Sequence, residues 1–189
     1  MQQNTNDRNW TVRMLVEGGI CLALAAVLGL FKIFEMPQGG SVTAGEMIPI
    51  IIFAMRYGAV KGVILGVVYG FIDMMLAGSI FHPVQALLDY PIAYGALGLA
   101  GIFAREFQVK KSIAPILKGA LLGAFIRLIC HVLSGVVFFA EYTPEGMNPW
   151  IYAITYNGSF LLVEILITVI IIYLLRNFLT RQLPNLGNA

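Results

Sequence analysis

Charge is scarce in this chain. Of its 189 residues, 12 are Lys or Arg and 10 are Asp or Glu, a charged share of 12% where an ordinary soluble domain carries roughly 25%. That deficit, beside a hydrophobic share of 59%, excludes water as the solvent of most of the molecule. Room for a separate soluble domain is lacking too, because about six spans of around 20 residues plus loops fill the length. A built-in ATPase is therefore excluded. The only cysteines, Cys21 and Cys130, fall inside apolar runs without metal-ligand spacing and read as small buried hydrophobes. No paired-carboxylate motif for a catalytic cation is present and no His-rich metal motif. The one Ser near His131, Ser134, has no evident oxyanion partner. Neither catalytic residues nor a bound metal or cofactor are expected, and the net charge of +2 forms no nucleic-acid patch.

What is there is charge sorted by side. Apolar stretches alternate with short loops, and every second loop holds nearly all the cations: Arg8, Arg13, Arg56, Lys61, Arg105, Lys110, Lys111, Lys118, Arg176 and Arg181. The other loops have only Lys32 among Glu35, Glu141 and Glu145. The positive-inside bias makes the basic side cytoplasmic, so both termini lie inside and the number of crossings is even. The apolar run after Arg13 is too long for the core of a cleaved signal peptide and reads as the first span.

The pattern predicts an all-α integral membrane protein with a single transmembrane domain over 1–189 and spans at about 13–34, 47–55, 59–78, 83–104, 112–140 and 149–175. The second is half-length. At 1.5 Å per residue it covers about half the hydrocarbon core, so the Gly-rich outer segment from Met36 to Glu46 must dip inward to complete the crossing. Irregular backbone at that depth is tolerated only against protein or a cavity, which makes this segment a candidate wall or lid.

Ionisable groups inside spans are functional hypotheses. Glu17, one turn from the cytoplasmic end of the first span, reads as structural, its carboxylate snorkelling to the interface. Arg127, Asp73 and Glu164 fall near mid-span and are expected to form an internal ion pair joining the third, fifth and sixth spans, with proton relay as the alternative. Asp89, His131 and Asn157 lie about 9, 13 and 12 Å below the outer surface at 1.5 Å per residue. Aromatics surround them: Tyr90, Tyr94, Phe138, Phe139, Tyr152 and Tyr156. Trp150 reads as an interface anchor. A carboxylate, an imidazole and a carboxamide at one depth need partners in a dry setting, and with aromatic walls they describe a small-molecule pocket. With Arg and Lys expected elsewhere, one deep carboxylate among π faces suits a flat, aromatic, cationic ligand.

The stretches MPQGGSVTAGEMIPI from Met36, MRYG from Met55, LLDYPIAYGALGLAG from Leu87, HVLSGVVFFAEY from His131 and YAITYNGS from Tyr152 together resemble the thiamine-specific S component of energy-coupling-factor transporters, over nearly the whole chain. The resemblance implies a six-helix S-component bundle in a bacterial cell membrane, thiamine as ligand at the outer side, and no ATPase of its own. It implies as partners, besides the lipid bilayer, a membrane-embedded T component and two ATP-binding-cassette ATPase subunits. Position by position, Asp89 and Tyr90 match the family's acidic-Tyr pair, in which some members have Glu. His131, Tyr152 and Asn157 match its other polar contacts, and Phe139 stands where some members use Trp. Gly39, Gly40 and Ser41 match the outer loop that closes over the site.

Tyr152 and Asn157 are five positions apart, about 140° on an ideal helix. Either Tyr152 lies on the loop before the sixth helix or one of the two does not contact ligand. In the first span Gly19 and Ala23 form a small-xxx-small pair, extended by Ala26, that admits close helix approach. The family docks on its T component through such a strip, whereas internal packing is the alternative. The alternatives for the whole chain are an S component for another vitamin such as riboflavin and an intramembrane lipid-modifying enzyme.

Overall fold

The computed structural model describes residues 10–183. In chain order it has helix α1 (Val12–Leu30), strands β1 (Lys32–Glu35) and β2 (Ser41–Thr43), and helices α2 (Met47–Tyr57) and α3 (Ala59–Ala77). Helices α4 (Pro83–Lys110), α5 (Ala114–Phe138) and α6 (Pro149–Leu174) follow, and a short α7 (Arg176–Gln182) ends it. Five of these helices are long and apolar enough to cross a membrane, with α2 as a shorter apolar helix. The chain is a multi-pass membrane protein, and its spans carry exposed Leu, Ile, Val and Phe such as Leu15, Ile64, Phe125 and Leu162, as a lipid-facing surface requires.

Helix α2 is the centre. Met47, Ile50, Ile51, Ala54 and Met55 are fully buried, so this half-length helix is apolar all round because protein surrounds it. It packs on α1, α3 and α4. Helix α3 approaches α4 along Gly62, Gly66 and Gly70. A Cβ on Gly66 would stand 2.3 Å from the Tyr94 carbonyl oxygen and one on Gly70 2.5 Å from the Pro91 Cα. This stripe of small residues is the internal counterpart of the one on α1, and its four-residue spacing was the sequence signal for it.

The first span is shorter than expected. Helix α1 stops at Leu30, and the residues from Lys32 to Glu35, read as its last turn, form β1. An apolar run this short does not distinguish helix from strand by periodicity. Antiparallel pairing of β1 with β2, Phe34 opposite Val42 and Glu35 opposite Ser41, satisfies backbone groups that an irregular loop would leave open. The outer segment thus does turn inward, as a hairpin whose Val42 and Thr43 are buried.

Helix starts follow their caps. Thr11 accepts the Met14 N–H at 3.2 Å, His82 Nδ1 accepts the Val84 N–H at 3.1 Å before Pro83, and Asn148 Oδ1 accepts the Trp150 N–H at 2.8 Å before Pro149. Helix α4 is irregular. Pro91 cannot donate a helical hydrogen bond, and the chain passes it through a π-helical turn, Leu88–Ile92, and later a 3-10 stretch, Gly98–Phe103. Its helical conformation runs on to Lys110, past the expected end.

The cations Arg13, Arg56, Lys61, Arg105, Lys110, Lys111, Lys118, Arg176 and Arg181 occupy the start of α1, the α2–α3 and α4–α5 connections and the end of α6. Arg8, counted with them, lies outside the described residues. Glu17 is structural by pairing rather than by snorkelling: its carboxylate meets Arg13 at 3.0 Å, Arg56 at 2.9 Å and the Tyr57 hydroxyl at 2.5 Å.

Candidate functional site

At the other end of the helices, that of Lys32, Glu35 and Tyr142, the hairpin, α3, α4, α5 and α6 enclose a cavity. All eight residues expected to bind ligand line it: Gly40, Ser41, Asp89, Tyr90, His131, Phe139, Tyr152 and Asn157.

The π turn brings Asp89 and Tyr90 to the cavity together. Asp89 Oδ1 lies 3.0 Å from His131 Nδ1, and its Oδ2 accepts from Ser134 Oγ and from Gln85 Nε2, each at 2.7 Å. Arg127 Nε, which can only donate, faces His131 Nε2 at 3.4 Å. That assigns the lone pair to Nε2 and the proton to Nδ1, where it points at the Asp89 carboxylate. The Asn157 carboxamide donates to the Ala153 carbonyl at 2.9 Å and to the His131 carbonyl at 3.4 Å. The depth matching read from helical rise therefore corresponds to actual contact.

Tyr152 does not lie on the loop. Helix α6 begins at Pro149, and Tyr152 in its first turn stacks toward Tyr156 with centroids 5.8 Å apart. Asn157 is buried and Tyr152 half-buried, and both reach the cavity because a Tyr ring extends well beyond its own helix face. The 140° objection thus fails on side-chain length.

Cations are not confined elsewhere, contrary to expectation. Lys32 and Arg127 line the cavity with Glu35, Glu46, Asp73 and Asp89. Lys32 pairs with Glu35 at 2.7 Å and Arg127 with Glu46 at 3.3 Å. Among the described residues Asp73 and Asp89 enter no printed pair with Lys or Arg, so the unneutralised charge is negative.

The mid-span ion pair also has a different membership. Arg127 bridges Glu46 and Glu164, each at 3.3 Å and all nearly fully buried, joining α2, α5 and α6. Asp73 of α3, expected as a direct partner, is replaced by Glu46, which sequence reasoning had left in a loop. The Tyr94 hydroxyl donates to Glu46 at 2.5 Å, and the Arg127 guanidinium lies over the Tyr94 ring, 4.3 Å from its centroid. Gly29 makes room for this group, since a Cβ there would stand 2.6 Å from Glu46 Oε2.

The hairpin closes the cavity against α6. Thr43 Oγ1 donates to Glu164 at 2.9 Å, and Gly40, at φ +86°, rests on the Phe160 ring, which a Cβ would meet at 2.7 Å. At the tip, Tyr156 Oη accepts the Gln38 N–H at 2.9 Å. Sequence reasoning had not singled out Gln85, Ser134 and Tyr94 as parts of this site. A buried Gln one turn before Asp89 was the available signal. Gly19 and Ala23 of α1 are exposed, which excludes internal packing for them, while Ala26 is half-buried against the core.

Residues 15–183 match the family of the thiamine transporter protein. The chain is 37% identical over 172 residues to the thiamine transporter ThiT of Bacillus subtilis, covering 85% of this chain and 88% of the relative. It is 32% identical over 174 residues to ThiT of Lacticaseibacillus paracasei, with 84% of each covered. A solved structure of ThiT from Listeria monocytogenes superposes with a TM-score of 0.80 at 25% identity, over 89% of this chain and 97% of that one.

Proposed function

Because the chain belongs to the thiamine transporter protein family, we propose that it is a thiamine-binding S component that captures its substrate from the outer side of the membrane. The observation that carries this reading is the cavity itself: a net negative, aromatic-walled enclosure at the end of the bundle away from the basic loops. Thiamine is a flat cation with a thiazolium ring and an aminopyrimidine. Asp89 supplies the countercharge, Tyr90, Phe139 and Tyr152 supply π faces, and Asn157 and His131 order the polar edge. Gly40 and Ser41 bring the lid backbone against the ligand.

The chain acts as a binding subunit and not as an enzyme. By the positive-inside bias the basic end and both termini are cytoplasmic and the cavity opens outward. Release inward requires work that this polypeptide cannot supply, so a T component and two ATP-binding-cassette subunits complete the transporter. Gly19 and Ala23 form the docking strip for the T component.

Calorimetry on the detergent-purified chain tests the reading. Thiamine is expected to bind one-to-one without ATP, and Asp89→Asn to weaken binding about 10- to 150-fold, the worth of one charge-assisted contact. Saturation by riboflavin and none by thiamine would reassign the substrate.

A further inference from the structure

Asp89 is held before any ligand arrives, and the way it is held assigns work to two residues that need not touch the ligand. Its Oδ2 takes two short bonds, from Ser134 Oγ and Gln85 Nε2, both at 2.7 Å, while Oδ1 faces His131. Gln85 is 2% exposed and Ser134 1% exposed. Every hydrogen-bonding position of the Gln85 amide is used by protein. Nε2 donates to Asp89 and to the Ser79 carbonyl at 3.2 Å, and Oε1 accepts the Phe81 N–H at 3.1 Å. The amide orientation follows from its partners. Reversed, it would set its oxygen against a carboxylate and a carbonyl, and its NH2 against an N–H.

The same amide therefore ties Asp89 to the connection between α3 and α4. That connection is held a second time by Tyr90, whose Oη accepts the Ser79 N–H at 2.8 Å. It also ends on the cavity wall, because the Phe81 ring packs edge-on against Phe139 with centroids 5.3 Å apart.

We propose that Gln85 and Ser134 are positioning residues for substrate binding. They aim the free lone pair of Asp89 Oδ1 into the cavity by occupying Oδ2, and Gln85 also fixes the Phe81–Phe139 wall relative to that carboxylate. The proposal rests on the thiamine-binding reading. Pre-orienting the carboxylate removes the ordering that binding would otherwise have to supply, and two donors compensate a charge that a dry site penalises.

Ser134→Ala and Gln85→Met, each alone and each combined with Asp89→Asn, test this by thiamine titration of the purified full chain, with thermal unfolding of the ligand-free protein alongside. Ser134→Ala removes one hydroxyl from a helix interior, so its fold is spared. Each single variant is expected to raise the thiamine Kd about 5- to 20-fold, in line with one lost hydrogen bond to a charged group. On the Asp89→Asn background the added loss is expected to fall below about twofold, since a residue acting through the carboxylate has little left to act on. Wild-type affinity in both single variants, or losses that multiply fully on the Asp89→Asn background, would overturn the proposal. A wild-type chain that does not saturate with thiamine would overturn the functional reading as well, and so is distinguishable from a failure of this proposal alone.

Discussion

The Tyr156 hydroxyl grips the backbone of Gly39, donating to its carbonyl at 3.0 Å while accepting the neighbouring Gln38 N–H at 2.9 Å. Tyr156 is the outermost member of a row on α6. Phe160, one turn deeper, carries Gly40, and Glu164, one turn deeper again, carries Thr43. The spacing is the i, i+4 interval that places side chains on one helix face. The hairpin is thus fastened along its length, and its tip depends on one hydroxyl.

Tyr156→Phe should release the tip while leaving the stem in place. Thiamine dissociation, followed by stopped-flow competition, is expected to accelerate roughly tenfold, the worth of one or two neutral hydrogen bonds. Folding of the ligand-free chain should be unchanged, because the affected groups reach water on opening. An unaltered dissociation rate would show that the tip does not gate the cavity.

Arg127→Met should destabilise the fold by about 3–5 kcal/mol, because it leaves two buried carboxylates without their shared cation. Lys118→Met, which removes an exposed pair to Glu106, should change stability by less than about 1 kcal/mol. Thermal unfolding in one detergent compares them, and equal midpoints would mean that the Arg127 bridge adds nothing.

The sequence made some of this legible and concealed the rest for physical reasons. Helical rise converts position into depth, so Asp89, His131 and Asn157 were placed on one level before any contact was known. Glu46 escaped because it follows the hairpin, where no helical count gives depth. Asp73 and Glu46 were interchangeable acids in the absence of knowledge of which face of α3 turns toward α5. Phe31 to Phe34 was apolar enough for either helix or strand, and only its pairing with β2 decided it. The glycines of α3 spelled out the tight α3–α4 contact at the same spacing as Gly19 and Ala23, yet spacing alone does not say whether a strip faces inward or outward.

Orientation has a direct test. With Cys21 and Cys130 replaced by Ala, a Cys introduced at Gly146 should react with an impermeant thiol reagent in intact cells. A Cys at Lys110 should react only after permeabilisation. Gly146 lies in the exposed connection before α6 and Lys110 at the exposed basic end of α4, so both sites are accessible once the reagent reaches their side. The reverse pattern would invert the protein and place the cavity mouth inside.

Gly19→Leu or Ala23→Leu should abolish thiamine uptake by the assembled transporter while leaving thiamine binding by the isolated chain intact. No heavy atom lies within 4 Å of a Cβ built on Gly19, so the added side chain meets nothing in this molecule and can obstruct only what docks against it. Neither residue lines the cavity. Gly18, its neighbour, supplies the internal control: a Cβ there already lies 3.2 Å from Leu65 Cδ1, so Gly18→Leu should lower stability and binding together. Uptake at the wild-type rate by Gly19→Leu, in a chain that still co-purifies with the T component, would mean that this strip faces only lipid and that docking uses another surface.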